Sequence, residues 1–495
     1  MYGARGSVLY RWGRGFRLGL LLTVTAGLPA RAEAPPELKA VQGSIAADTT
    51  WDGDVRVEGV VTVEAGSVLT ITPGTILSFR QGAALTVYGI FRAEGTAERP
   101  IVLQPADAGT PPSPGGGVTL AGSTAPSSLR HCRLRGVGAV TITTGKHRVA
   151  DCAILASEQG IVVTGRESMP IIENNSLSDL AQFGIESSEG SQPVISGNHF
   201  ERCGKVGILA FKDAVPLITG NTIADCDVGI SLARTAPSIR GNTLLGNRRG
   251  IVMNLASGGR PIQENIVSGG EIGILCENFS SPVITNNTVV KNKDGIVCFQ
   301  SSRPLVEANR IVENGTGLTA IQISNPTVRG NLIEDNDRGI YLDLSSYAVI
   351  HENDFDRNRL HIELGNMSSD WERRVGAKPA RGRLQQTIGR LKEAGGTGPS
   401  APAAAPGGPD GAQIMDSVDA TNNWWGASTT REIEEKGADA NISGIVDYHD
   451  VPTRTYEGFP GEYTQDRVTY APWAKAPFAK SAPLPLGTEG RDSRK

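Results

Sequence analysis

Glu334, Asp354 and Asp356 are the residues whose types and spacing come closest to a reaction centre. Glu334 and Asp356 stand 22 residues apart in a chain that repeats its pattern at about that interval. A regular stack sets them one above the other, with Asp354 two residues away. Such a trio offers an acid–base pair or a set of oxygen ligands for Ca²⁺. Arg310, Arg357 and Arg359 lie in the same stretch, and solvated carboxylates neutralised by them are the plainer reading. The six histidines (131, 147, 199, 351, 361 and 449) never fall in metal-ligand spacing, and no Cys-x-x-Cys occurs. With five methionines in 495 residues a soft copper site has little to draw on. Neither a metal nor a cofactor is expected. "DYHD" at 447–450 is the remaining His–carboxylate group, and it falls in the closing strand.

The elements that position these residues are read from a repeat. An Asn precedes "x-aliphatic" at 175, 198, 221, 242, 265, 287, 309, 331 and 353, with spacings of 21 to 23. An aliphatic residue stands three places earlier (Ile172 through Ile350), an apolar one two places later (Leu177 through Phe355). Gly-Ile follows at 184, 207, 229, 250, 273, 295 and 339, with Gly317-Leu318 between. Cys132 and Cys152 take the Asn place in two earlier copies. The apolar runs are short and β-branched, separated by Gly, Asn, Ser or Pro, and none holds a helical period. Each copy therefore reads as three short strands and three turns. One copy cannot stand alone: ordering 22 residues costs about 20–40 kcal/mol, while three or four buried aliphatics return roughly 1.5–3 kcal/mol apiece. Stacking supplies the remainder, with equivalent residues about 4.8 Å apart. The Asn columns are expected at turns, where Asn tolerates a left-handed backbone and its amides stack as ladders, and Gly339 and its equivalents at a turn that a Cβ would obstruct. Sixty-one glycines and only 5% aromatics fit such a turn-rich β protein.

The frame N-x-φ-x-x-N-x-x-G-I resembles the right-handed parallel β-helix repeat of the pectin-lyase-like superfamily, including its periplasmic copper-binding family. Residues 50–103 look like the opening coils of secreted β-helix proteins. "NNWWGASTTREIEEKGADANISGIVDYHD" (422–450) looks like a closing coil, in which Asn423 and Trp425 continue the core columns. The resemblance implies an all-β, right-handed parallel β-helix solenoid of about a dozen coils of ~22 residues. It does not fix function, because the superfamily holds lyases, hydrolases, epimerases and non-catalytic proteins. The Asn-Thr-Asp, Asp-Asp, Gly-His-Gly and Arg-Ile-Lys motifs of polygalacturonases are absent, as is the Arg-x-Pro-x-x-Arg segment of pectate lyases. "DYHD" faintly resembles the Asp-Pro-His-Asp of alginate epimerases but lacks the Pro. The copper-binding label has no ligand residues behind it here.

After each Gly-Ile, alternate residues point outward. This outward column contains Leu209, Phe211, Val252, Leu275, Val297, Phe299, Ile321 and Tyr341, an apolar face for a ligand or partner. Its acids, Glu277 and Asp343, are three coils or roughly 14 Å apart, too far for an acid–base pair. The organisation expected is a signal peptide at 1–32; an N-terminal cap and first coils at 50–105; regular repeats at 118–365; an insertion at 366–413; a closing coil at 414–452; and an extended or disordered tail at 453–495. Within the insertion, Leu384, Ile388 and Leu391 mark a helix over 380–394, and a Pro/Gly/Ala-rich disordered linker follows over 395–412. That helix either covers the outward face or leaves it to a partner. The cysteines form three stacked pairs, 132/152, 203/226 and 276/298; the turn pair Cys203/Cys226 can adjust best and is expected to form a disulfide, while mid-strand Cys276/Cys298 stays reduced.

Arg5, Arg11, Arg14 and Arg17 before an apolar run, and "ARA" at 30–32, form the export signal. Its removal takes five of 48 basic and none of 52 acidic residues, leaving about −9. That balance argues against nucleic acid. The expected product is a periplasmic or extracellular monomer, not integral to the membrane. It is a non-catalytic binding or scaffold protein with a protein or glycan ligand. The alternative is a carbohydrate-active enzyme (polysaccharide lyase, hydrolase or epimerase) with a site near Glu334, Asp354 and Asp356.

Overall fold

The structure, a computed structural model, describes residues 38–107, 117–122, 125–235, 237–256, 260–375 and 415–478. The expected signal peptide at 1–32, the helix at 380–394 and the linker at 395–412 lie outside the described residues.

Each coil carries three strands, as in Thr222–Ala224, Val228–Ala233 and Ser238–Arg240. They pair in parallel with the same strands of the next coil: Ile223 stands beside Leu244, Ile230 beside Ile251, and Ile239 beside Ile262. Repetition builds a 29-stranded and a 16-stranded sheet, which close into an all-β solenoid of about 14 turns. The inward columns are fully buried Ile, Val, Leu and Phe, so the interior is one continuous apolar rod.

Two details of the repeat differ from expectation. The ladder asparagines do not adopt the left-handed conformation; the residue before each one does, as at Glu264 (φ 58°), Asn286 (φ 55°) and Ala308 (φ 54°). The corner turns there, so the Asn that follows points its amide inward. Asn309 Nδ2 donates to the carbonyls of Ile284 (2.8 Å) and Glu307 (3.0 Å) and to Asn331 Oδ1 (3.0 Å). Its Oδ1 accepts from the Asn287 backbone N–H (2.9 Å) and amide (3.0 Å). The Gly-Ile glycines lie not in a turn but at the second place of a strand. A Cβ on Gly250 would sit 2.4 Å from the Gly273 carbonyl oxygen and 2.4 Å from Val267 Cγ1. Close approach, not φ, requires glycine there.

A third ladder runs along the remaining corner. The hydroxyls of Ser280, Ser324 and Ser346 accept from the backbone N–H of Ala256, Ser302 and Ser324 at 3.1–3.2 Å. The cysteines serve the ladders too: the Cys152 and Cys226 N–H groups donate to Asn175 (2.9 Å) and Asn247 (3.0 Å). All six are free, buried thiols, so the disulfide considered for Cys203/Cys226 is not formed. Burial and the hydrogen bond with Cys298 push the Cys276 thiol well above its ordinary range.

The C-terminal end departs most from expectation. Asn423 does extend the ladder, accepting from the Asn353 N–H at 2.8 Å, and Trp425 stacks on Phe355 at 4.9 Å. The closing coil then forms a helix, Gly426–Lys436, whose Thr429, Thr430 and Ile433 are buried. Beyond residue 452, where a loose tail was expected, Thr453–Tyr456 and Phe459–Thr464 form an antiparallel hairpin. Arg467–Thr469 then joins the 16-stranded sheet beside Ser417–Asp419. A short helix, Ser369–Val375, opens the segment expected as an insertion.

Candidate functional site

Glu334 and Asp356 come together as the repeat implies, and the partners of each carboxylate decide its chemistry. Glu334 and Asp356 are register neighbours on adjacent strands. Arg357 lies across them, pairing with Glu334, with Asp356 (2.5 Å) and with Asp335 (2.9 Å). Arg310 reaches Glu334 from the preceding coil at 3.6 Å. Arg357 holds the Asp335 carboxyl below the usual carboxylate range. Asp354 is buried and accepts the Phe478 N–H at 2.9 Å. Arg359 does not join the trio, because it pairs with Asp337 at 2.5 Å. Glu334 and Asp356 are thus an ion-paired brace, and an acid–base role for them would require a carboxylate freed from Arg357. Among the described residues no group of three His, Cys, Asp or Glu is placed to hold a metal.

The "DYHD" segment lies in a turn just past the strand Ile445–Val446, not within it. His449 Nδ1 lies 3.0 Å from Asp447 Oδ1, while the other Asp447 oxygen accepts the Val468 N–H at 2.8 Å. Tyr448 carries the Arg467 guanidinium over its ring. Asp447 therefore ties the final strand to the closing coil. Glu277 and Asp343 on the outward column are also engaged, by the Asn254 amide (2.8 Å) and the Tyr341 hydroxyl (2.9 Å).

The outward column itself is the most distinctive surface feature. Val228, Val252, Leu275 and Val297 form a second apolar cluster separate from the interior rod, with Val206, Ile272 and Phe299 packed against it. Its central members are only 6–8% exposed, although they point away from the core. Stacking aliphatic side chains at strand spacing, with further aliphatics alongside, removes most of their surface from water. Leu209, Phe211, Phe299, Ile321 and Tyr341 remain half-buried around it. Polar pairs frame the face: Arg249 with Asp227 (3.2 Å), Asn254 with Glu277, Thr319 with Asp294 (3.4 Å), and Arg338 with Glu363 (3.5 Å). A separate shallow groove of about 330 Å³ lies on the neighbouring turns, lined by Arg166, Glu189, Gly190, Lys212, Asp213 and Arg234. It was not anticipated, because turn residues vary from copy to copy and leave no column to read.

Comparison with known proteins fits this architecture. The family described as "Right handed beta helix region" matches residues 116–272 and 272–371, just over half of the chain. No curated protein matches. Among solved structures, an alginate lyase from Paenibacillus sp. str. FPU-7 is similar at 16% identity, covering 53% of this chain and 89% of that one, with a TM-score of 0.22. The mannuronan C-5 epimerase AlgE6 A-module of Azotobacter vinelandii is similar at 9% identity, covering 66% and 87%, with a TM-score of 0.23. A hyperthermoactive exopolygalacturonase of Thermotoga maritima is similar at 12% identity, covering 65% and 84%, with a TM-score of 0.20. Likeness at this level carries no argument about activity.

Proposed function

The chain belongs to the right-handed β-helix family, and on that premise we propose that it is an exported, non-catalytic binding or scaffold protein acting outside the cytoplasm. Its working surface is the outward face of the six-residue strands, and its partner is a protein. The single observation that carries this reading is the second apolar cluster, lying outside the core and framed by polar pairs. An apolar centre with a polar rim is the anatomy of a protein–protein interface. A glycan surface calls for aromatic platforms at its centre, whereas here the centre is aliphatic and the aromatics Phe211, Phe299 and Tyr341 lie at its edge. The bracing of Glu334 and Asp356 by Arg357 supports the non-catalytic half. Among the described residues, no helix is long and apolar enough to cross a membrane.

The test is affinity capture from the exported fraction of source cells, comparing the wild type with the Phe211→Asp/Phe299→Asp variant. The reading predicts a protein captured by the wild type and lost from the folded variant, with no change on a glycan array. An identical captured set from both would contradict it.

A further inference from the structure

Three groups meet where the C-terminal cap docks on the last coils. The Tyr347 hydroxyl lies 2.9 Å from Asp466 Oδ2 and 3.2 Å from Glu372 Oε1. The three come from separate stretches of chain: a corner of the solenoid, the helix Ser369–Val375, and the segment leading into the strand Arg467–Thr469. Both contacts are hydrogen bonds only if there is a hydrogen for each, and a phenol carries one. The second must belong to a carboxyl group. Asp466 is the better anion, because its Oδ1 already accepts the Ser369 N–H at 2.8 Å and its contact with Tyr347 is the shorter. The balanced arrangement is therefore Glu372 O–H donating to Tyr347 O, and Tyr347 O–H donating to ionised Asp466.

Among the described residues no cation facing this cluster is seen paired with Glu372 to hold it ionised. Arg373, on the same helix, is drawn to Asp416. Arg454 of the hairpin donates to Gln465 (3.1 Å) and to the Leu364 carbonyl (3.3 Å). Asp343 is taken up by the Tyr341 hydroxyl and by the N–H groups of Leu344 and Asn366. The Tyr456 hydroxyl has no hydrogen-bond partner among the described residues. Ser345 faces Glu372 as a neutral donor. Without the proton, the Glu372 and Tyr347 oxygens confront each other in a part-buried site.

We propose that Tyr347, Glu372 and Asp466 form a proton-dependent clasp that locks the C-terminal cap onto the end of the solenoid. Burial, the largest influence on Glu372, pushes its carboxyl above the ordinary range, which suits a proton retained there; on Asp466 burial is opposed by the hydrogen bonds from Ser369 and Tyr347. The clasp sits at a mechanically relevant place. Asp466 N–H donates to the Met367 carbonyl (3.0 Å), Gln465 to the Gly365 carbonyl (2.9 Å), and Ser369 Oγ to Asp416 (3.1 Å). The same contacts thus join residues 365–369, Asp416 and residues 465–466 at the end of the solenoid.

Hydrogen exchange on the full mature chain at pH 4.5, 6.0 and 7.5, corrected for intrinsic rates, reads cap opening over 367–375 and 459–469. One linked proton predicts that opening rises roughly tenfold per pH unit above the free carboxyl value of about 4.3, until Glu372 itself ionises. Glu372→Gln keeps an N–H donor toward the phenol and is expected to abolish the pH trend while retaining protection. Tyr347→Phe is expected to lose protection across the range. An unchanged pH trend in Glu372→Gln, or no trend in the wild type, would overturn the proposal.

Discussion

Asn309→Ala tests the hydrogen-bond accounting of the solenoid at its centre. Asn309 is 1% exposed and joins three coils through five contacts. Truncation does not orphan every partner. The Asn287 amide has two hydrogens and keeps two other acceptors, the carbonyls of Ile262 (2.8 Å) and Thr285 (3.1 Å). The Asn287 backbone N–H loses its acceptor, and the Ile284 carbonyl loses its side-chain donor. The Ile284 carbonyl keeps its place in the parallel ladder beside Glu307, so one buried backbone group is left unsatisfied, for a loss of about 1–3 kcal/mol. The control is Asn174→Ala, at an exposed left-handed corner, where only the backbone preference is lost, about 1 kcal/mol. Urea unfolding followed by circular dichroism compares the three proteins at unchanged slope, the condition for reading midpoints as stability. A loss below about 1 kcal/mol for Asn309→Ala would refute the reasoning, because the freed N–H would then have found another partner.

Further outcomes follow from the same geometry. Gly250→Ala, whose Cβ would press on a backbone carbonyl as well as on Val267, is expected to cost about 3 kcal/mol or more. Gly220→Ala has open space and only a φ of +63° to overcome, so a thermal melt should show it clearly milder. His361 is buried between Phe355 and Trp425, and desolvation lowers its pKa to about 4. The folded chain then binds fewer protons than the unfolded one between about 4 and 6.5, so this histidine's contribution is full above pH 6.5 and is lost as pH falls. A melt series over that range should flatten in His361→Gln. Alkylation under denaturing, non-reducing conditions should label six thiols per chain, and recovery of only four would reinstate a disulfide.

Much of the fold was legible because the constraint is periodic. An Asn every 21–23 residues, with aliphatics three before and two after, admits one stacking register, and Asn423 and Trp425 could be placed in it across an insertion. The helix Gly426–Lys436 was hidden because the closing coil was read as a continuation of the strands, although "TTREIEEK" is rich in helix formers. The serine ladder was equally readable as a column of small hydroxyls at 280, 302, 324 and 346. The candidate site was legible only in part. The register placed Glu334 over Asp356, but which arginine bridges them depends on side-chain reach, not on period. The burial of Val252, Leu275 and Val297 depends on neighbouring columns, which a single column read alone leaves out. The clasp joins residues 119 positions apart and has no sequence signature at all.

The non-catalytic claim is tested most directly by incubating the mature protein with a panel of neutral and acidic polysaccharides while following unsaturated products by absorbance, reducing ends by colour and uronate configuration by NMR. The account predicts no product above a protein-free blank from any polymer. Turnover abolished by Glu334→Ala/Asp356→Ala in a still-folded chain would contradict it and make the Arg357-braced carboxylates a catalytic pair.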